Sequence, residues 1–312
     1  SRARPPSRRN DDLAGPTMTM DDDFTLTNLE LCESTDDGQQ ASGLSHASMK
    51  GMFLLTVLEL AANGEPKGAV TVLHDAGDTG DRYRDLAKSV AKAGWAVALP
   101  DMRGHGRTEG ERGHSAGLAE VVRDVQEIQD HLAYRLPTHP KVLVGQGLGA
   151  LYALNYALEK PGHLAGLVLV APLWTPDFEA PAAPKGMAKF FKKLTPRSPG
   201  RITWTGDQLT TDAGQAASWA SSELTHDVVT LRAIQEAHRA AEQTLGRIGS
   251  VDVPVLLLHG ADDPICAAAK SSALSGPNLT VEVLEGMRHH PLQESDAGQV
   301  HARITTWLDG IS

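Results

Sequence analysis

Lys141-Val142-Leu143-Val144-Gly145-Gln146-Gly147-Leu148-Gly149-Ala150 is the stretch on which the reading of this chain turns. A short apolar run closes on three glycines at alternate positions, and a helical apolar pattern, Leu148–Leu158, follows at once. That reads as a strand, a sharp turn and a helix, the turn being tight enough to need residues without side chains. Outward from it the pattern repeats. Apolar runs at Gly51–Leu60, Gly68–His74, Trp95–Pro100, Gly166–Ala171, Val253–His259 and Leu279–Leu284 predict strands. Amphipathic stretches at Arg82–Ala93, Leu118–Tyr134, Ser271–Leu274 and Asp296–Leu308 predict helices between them. Runs that are apolar throughout, rather than alternating, belong to strands covered on both faces, so the expected fold class is α/β with a mostly parallel, doubly wound sheet. Gly51–Leu60 is expected to form an antiparallel edge hairpin with Gly68–His74, since Asn63-Gly64 and Pro66 supply a turn.

Residues 172–252 are far more than the dozen or so that a crossover needs, and six prolines crowd their first half. They are read as an inserted helical cap, with a long helix over Ser222–Gly246, on a core made of residues 21–171 and 253–312. Residues 1–20 begin with Ser1, carry four arginines in their first ten positions and two adjacent prolines, and are read as a disordered extension.

Composition narrows the function. The 312 residues hold 29 Lys and Arg against 39 Asp and Glu, a net charge of −10. That balance excludes a duplex nucleic-acid binder, which needs a basic face to displace counterions from phosphate. No apolar run reaches the roughly 20 residues that span a bilayer. Two cysteines, Cys32 and Cys266, make no disulfide framework.

Ligands of doubly wound sheets sit at the carboxyl ends of the strands, and five strands here run into conspicuous loops. These are His74 to Tyr83, Asp101 to Gly110, Gly145 to Gly149, His259 to Pro264 and Glu285 to Leu292. Together they would bring Asp263 and His289 to the glycine-rich turn, a general base with its orienting carboxylate. Asp262 competes with Asp263, and His290 with His289. Gly145 to Ala150 also fits a dinucleotide fingerprint, but the next strand ends Val170-Ala171-Pro172 without the ribose-binding acid. No H-x-x-x-H or H-E-x-x-H spacing suggests a metal, and neither metal nor cofactor is expected. Cys266 is read as a buried thiol, and Asp78 with Arg82 as a local ion pair.

The five loops, in this order, resemble the α/β-hydrolase fold, and within it the monoacylglycerol lipase and lysophospholipase group, similar to serine aminopeptidases of the S33 type. The resemblance covers about residues 50 to 310. It implies a serine-type esterase of lipid-like esters in which position 147 attacks, His289 moves the proton and Asp263 orients it. The backbone N–H groups of Ala76 and Leu148 would hold the oxyanion. Two residues depart from the family pattern. Gly147 stands where the nucleophilic serine belongs, and Asp75 replaces the glycine beside the oxyanion hole, where a carboxylate pointing inward would oppose the developing charge. The expected function is therefore an impaired lipase-like hydrolase, or alternatively a non-catalytic binder of hydrophobic ligands. A serine restored at 147 is expected to lie about 3 Å from His289. In the cap, Met187, Phe190 and Phe191 share a helical face opposite several lysines, suited to an acyl chain or a membrane surface. The expected partner is a small ester or lipid-like ligand, and the expected location is the cytoplasm, with peripheral membrane contact through the cap.

Overall fold

The computed structural model describes residues 19–20, 23–32, 52–115, 117–183 and 194–311. Among them, nine strands form one sheet. These are β1 (Thr19–Met20), β2 (Phe24–Cys32), β3 (Met52–Leu60), β4 (Gly68–Leu73), β5 (Trp95–Pro100), β6 (Lys141–Gln146), β7 (Gly166–Val170), and two later strands, Val255–Gly260 and Leu279–Leu284. The two later strands are numbered β10 and β11, because a separate pair, β8 (Pro199–Arg201) and β9 (Val228–Thr230), intervenes in the chain. The order across the sheet is β1-β2-β3-β5-β4-β6-β7-β10-β11, and β5 through β11 run parallel.

Alternate residues of each central strand feed opposite layers. Val142 and Val144 of β6 join Val70, Val72, Val168 and Val170 against α1 (Arg84–Lys92) and the last helix, Ala297–Leu308. Leu143 instead joins Leu73, Leu167 and Leu169 against α2 (Leu118–Arg135) and α3 (Leu148–Glu159). Both faces are thus dry, which is why the strands read as unbroken apolar runs.

The edge hairpin expected between Gly51–Leu60 and Gly68–His74 does not form. β3 passes β4 and pairs antiparallel with β5, Val57 opposite Pro100 and Leu60 opposite Val97. A loop signal such as Asn63-Gly64 states that the chain turns, not which strand it meets next. β2 was not anticipated. It pairs along its whole length with β3, and its apolar pattern is diluted on both faces, by Thr25 and Thr27 on one and by Asn28 and Glu30 on the other. Thr19–Met20, expected in the extension, pairs with Phe24 and Thr25; residues 1–18 lie outside the described residues.

Between β7 and β10 the chain forms β8, α4 (Gly206–Leu209), α5 (Ala213–Ser221), β9 and α6 (Leu231–Leu245). The single helix expected over Ser222–Gly246 is shorter. Ser222 is already extended, β9 intervenes, and Thr230 caps α6 by accepting a bond from the Ala233 N–H. Met187, Phe190 and Phe191 lie outside the described residues. The remaining short helix, α7, is Ala269–Ser272, and α8 is Ala297–Leu308. No helix among the described residues is long and apolar enough to cross a membrane.

Candidate active site

Register places the site. β4 and β6 are neighbours with Leu73 opposite Gly145, so Asp75 and Gly147, each two residues further on, leave the sheet side by side. β10 and β11 are likewise paired, Gly260 opposite Leu284, which brings the loops carrying Asp263 and His289 together.

Gly147 has φ +56° and ψ −114°, a backbone that side chains adopt only under strain. Its N–H donates to Val170 O at 3.0 Å, and Leu148 opens α3. Gly149 is needed for a different reason: a Cβ there would run into the carbonyls of Leu73 and His74 at the end of β4. These two glycines let helix and strand approach while holding position 147 at the tip of the turn.

The space in front of Gly147 is filled. A Cβ on Gly147 would overlap the Cγ and both carboxylate oxygens of Asp75. That carboxylate points inward. Its Oδ1 accepts the N–H groups of Ala76 and Leu148, both at 2.7 Å. Its Oδ2 faces His289 Nε2 at 3.1 Å and His290 Nε2 at 3.2 Å. Ala76 and Leu148 therefore do converge on one oxygen, but the oxygen belongs to the chain itself. The expectation that a serine restored at 147 would stand free beside His289 is corrected, because Asp75 occupies that volume.

His289 also meets Asp263, whose Oδ2 lies 2.7 Å from Nδ1. Asp263 is fixed by the N–H groups of Ile265 and Cys266 on Oδ1, at 2.8 and 2.9 Å, and by His259 on Oδ2 at 3.0 Å. Asp262, its competitor, is exposed. His289 and not His290 meets Asp263, as expected, while His290 joins His289 on Asp75, the two rings 5.5 Å apart between centroids. Burial opposes charge on His289, yet the flanking carboxylates of Asp263 and Asp75 outweigh it and push its pKa up to about 10. Burial works against both acids as well, and the two histidines reverse it for Asp75, as His289 and His259 do for Asp263, so both are held well below the ordinary carboxylate range. For His290 burial wins and its pKa falls.

A further layer holds these groups. His74 accepts the Met102 N–H on Nε2 at 2.9 Å and donates from Nδ1 to the Asp75 carbonyl at 2.7 Å, which aims the loop. Gln146 Nε2 donates to the His289 carbonyl at 2.7 Å. Trp204 and Trp219 place their rings edge-on to His289 and His290, at 5.6 and 5.8 Å. Asp78 and Arg82 form the anticipated ion pair at 3.3 Å, and Cys266 is buried with its Sγ 3.5 Å from Pro172 O. The roles of Trp204, Trp219 and Gln146 left no mark in the sequence. Asp75 and Gly147 were each legible as departures from the family pattern, but their meeting was not, since it depends on which way the Asp75 side chain turns.

A recess of about 400 Å³ lies among residues 202–227, bounded by Trp204, Trp219, Thr205 and His226, and its two indoles are the ones that touch His289 and His290. A second cavity, about 40 Å³, lies on the other side of the donor pair, lined by Ala76, Leu148, Met102, Tyr152, Ile202 and Val229.

Sheet order, turn and His–Asp pair define an α/β-hydrolase, and the comparisons agree. Residues 64–296 match the family described as serine aminopeptidase, S33, and the chain belongs to that family. It is 26% identical over 249 residues to a monoacylglycerol lipase of Mycolicibacterium smegmatis, covering 78% of this chain and 89% of that one. It is 28% identical over 266 residues to the human monoglyceride lipase, covering 78% and 83%. Among solved structures, the monoacylglycerol lipase of Paleococcus ferrophilus superposes with a TM-score of 0.71 at 24% identity, over 83% of this chain and 99% of that one. A soluble variant of the Saccharomyces cerevisiae monoglyceride lipase, in complex with a substrate analog, gives 0.73 at 18% identity, over 89% and 98%.

Proposed function

We propose that this monoacylglycerol lipase-like α/β-hydrolase is closed to serine-type acyl transfer and acts as a binder of ester- or lipid-like ligands beneath residues 172–252. One observation carries this reading: the Asp75 carboxylate fills both the place of a nucleophile's side chain and the pair of N–H groups that would receive an oxyanion. Acyl transfer needs an attacking atom and a vacant pair of donors. Gly147 offers no atom, and the donors already hold a negative oxygen. Asp75 sits as a carboxylate product would sit after hydrolysis, except that it is tied to the chain. Loss of a serine nucleophile alone lowers turnover on the order of 10⁶-fold. The two indoles of the nearby recess, set among polar residues, and the mainly apolar cavity beside Ala76 and Leu148 support retained binding of a ligand with an apolar part.

The test is a set of three variants assayed on short and long acyl esters and with a serine-directed phosphonate. Gly147→Ser alone should lose stability in urea and label no better than the parent. Asp75→Gly with Gly147→Ser should label and hydrolyse esters. Labelling by the single variant would show that Asp75 gives way, and the reading would fail. A folded double variant that stays silent would show that Asp75 is not what closes the route.

A further inference from the structure

We propose that Asp75, His289 and His290 form a buried binding site for one divalent transition-metal ion of the zinc class. The inference does not rest on the ligand proposed above. It rests on the convergence of three donor atoms, Asp75 Oδ2, His289 Nε2 and His290 Nε2, all within 4.8 Å of one another and all buried.

The spacing suits an ion. Two ligands of a tetrahedral site with bonds of about 2.0–2.1 Å stand about 3.3 Å apart. Asp75 Oδ2 stands 3.1 Å from one imidazole nitrogen and 3.2 Å from the other. Two imidazoles on such an ion hold their ring centroids about 5.2 Å apart, and those of His289 and His290 are 5.5 Å apart. Two nitrogens and one carboxylate oxygen are a donor set for zinc and its neighbours rather than for calcium or magnesium, which favour oxygen.

Two of the three ligands are also held from behind, as metal ligands are, and the third is fixed through its main chain. Asp263 takes the far nitrogen of His289 at 2.7 Å and is itself fixed by Ile265, Cys266 and His259. Two backbone N–H groups pin Asp75 Oδ1 and leave Oδ2 to project. The main chain of His290 is tied to Leu209 O at 2.7 Å. Charge points the same way. Two buried carboxylates, Asp75 and Asp263, face one imidazole, and a divalent ion neutralises both.

Gly147 gains a reason in this arrangement: any side chain there would push the Asp75 carboxylate off its position. Local spacing could not reveal such a site, because Asp75 lies more than two hundred residues from the histidines it meets.

The test is a titration of the full chain, stripped with a chelator, using Zn²⁺ by calorimetry and Co²⁺ by visible absorption. One equivalent should bind, with the ligand-field bands of tetrahedral Co²⁺ and a raised melting temperature. Asp75→Asn and His290→Gln should each weaken binding at least tenfold, and Asp263→Asn by about 10–100-fold through His289. His163→Gln, an exposed control, should change nothing. Folding of each variant is checked by circular dichroism. Absence of stoichiometric binding to the unaltered chain overturns the proposal whatever the variants do. So does binding that survives in folded Asp75→Asn and His290→Gln chains.

Discussion

His289 is clamped between two carboxylates, and its titration should be visible in the stability of the protein. Its folded pKa of about 10 lies above the roughly 6.5 of an ordinary imidazole, so the folded state holds the proton more firmly than the unfolded one. The stabilisation is complete below about pH 6.5 and is lost as pH rises through about 10. Urea unfolding with a chelator present should therefore show stability falling towards alkaline pH. In Asp75→Asn, which removes one of the two raising charges, the fall should begin at the same pH but level off at lower pH and be smaller in total. Superimposable profiles for parent and variant would mean that Asp75 does not hold that proton. The pairing of His289 with Asp263 was legible, because both stand in strand-end loops and the family resemblance implies which acid and which histidine of each adjacent pair is meant. The inward turn of Asp75 was not, because the direction of one side chain depends on which neighbour has left room for it.

Elements were legible in proportion to how uniformly their surroundings treat them. β4, β6 and β7, buried on both faces, read cleanly. β2, with one strand of its flank mixed and polar, did not, and a hairpin was assigned where a crossing occurs. α6 shows how a polar residue sets a boundary. Thr230 Oγ1 accepts the Ala233 N–H at 3.3 Å and also meets His114 Nδ1 at 3.0 Å, so the helix starts there rather than at Ser222. Thr230→Ala should cost about 1 kcal/mol in chemical denaturation, the usual worth of such a cap, while Thr230→Ser should recover most of it. Equal losses in the two variants would assign the effect to the threonine methyl group instead.

At the scale of the whole molecule, residues 171–254 leave the sheet at its carboxyl edge and return to it, so that Trp204 and Trp219 come to lie over His289 and His290. An apolar ligand entering the recess must touch both indoles. Titration with fatty acids of increasing length should alter tryptophan emission, and Trp204→Ala should weaken the longer acids more than the shorter, since burial scales with area. An equal loss at every length would place the acyl chain elsewhere. The existence of this excursion was evident from its length and its prolines. Its internal order was not, because short strands and helices that pack on one another leave little periodic trace.

The interlock of Asp75 with Gly147 has a consequence for the routes by which such a sequence changes. The family motif carries glycine where this chain has Asp75 and serine where it has Gly147, so the two positions have exchanged bulk. Serine at 147 and the inward carboxylate at 75 compete for one volume, so the order of change matters: serine is accommodated at 147 once the aspartate has gone, whereas the aspartate can leave first. A library that alters one codon at a time would therefore understate position 147, and replacement of both would expose the path between the two chemistries.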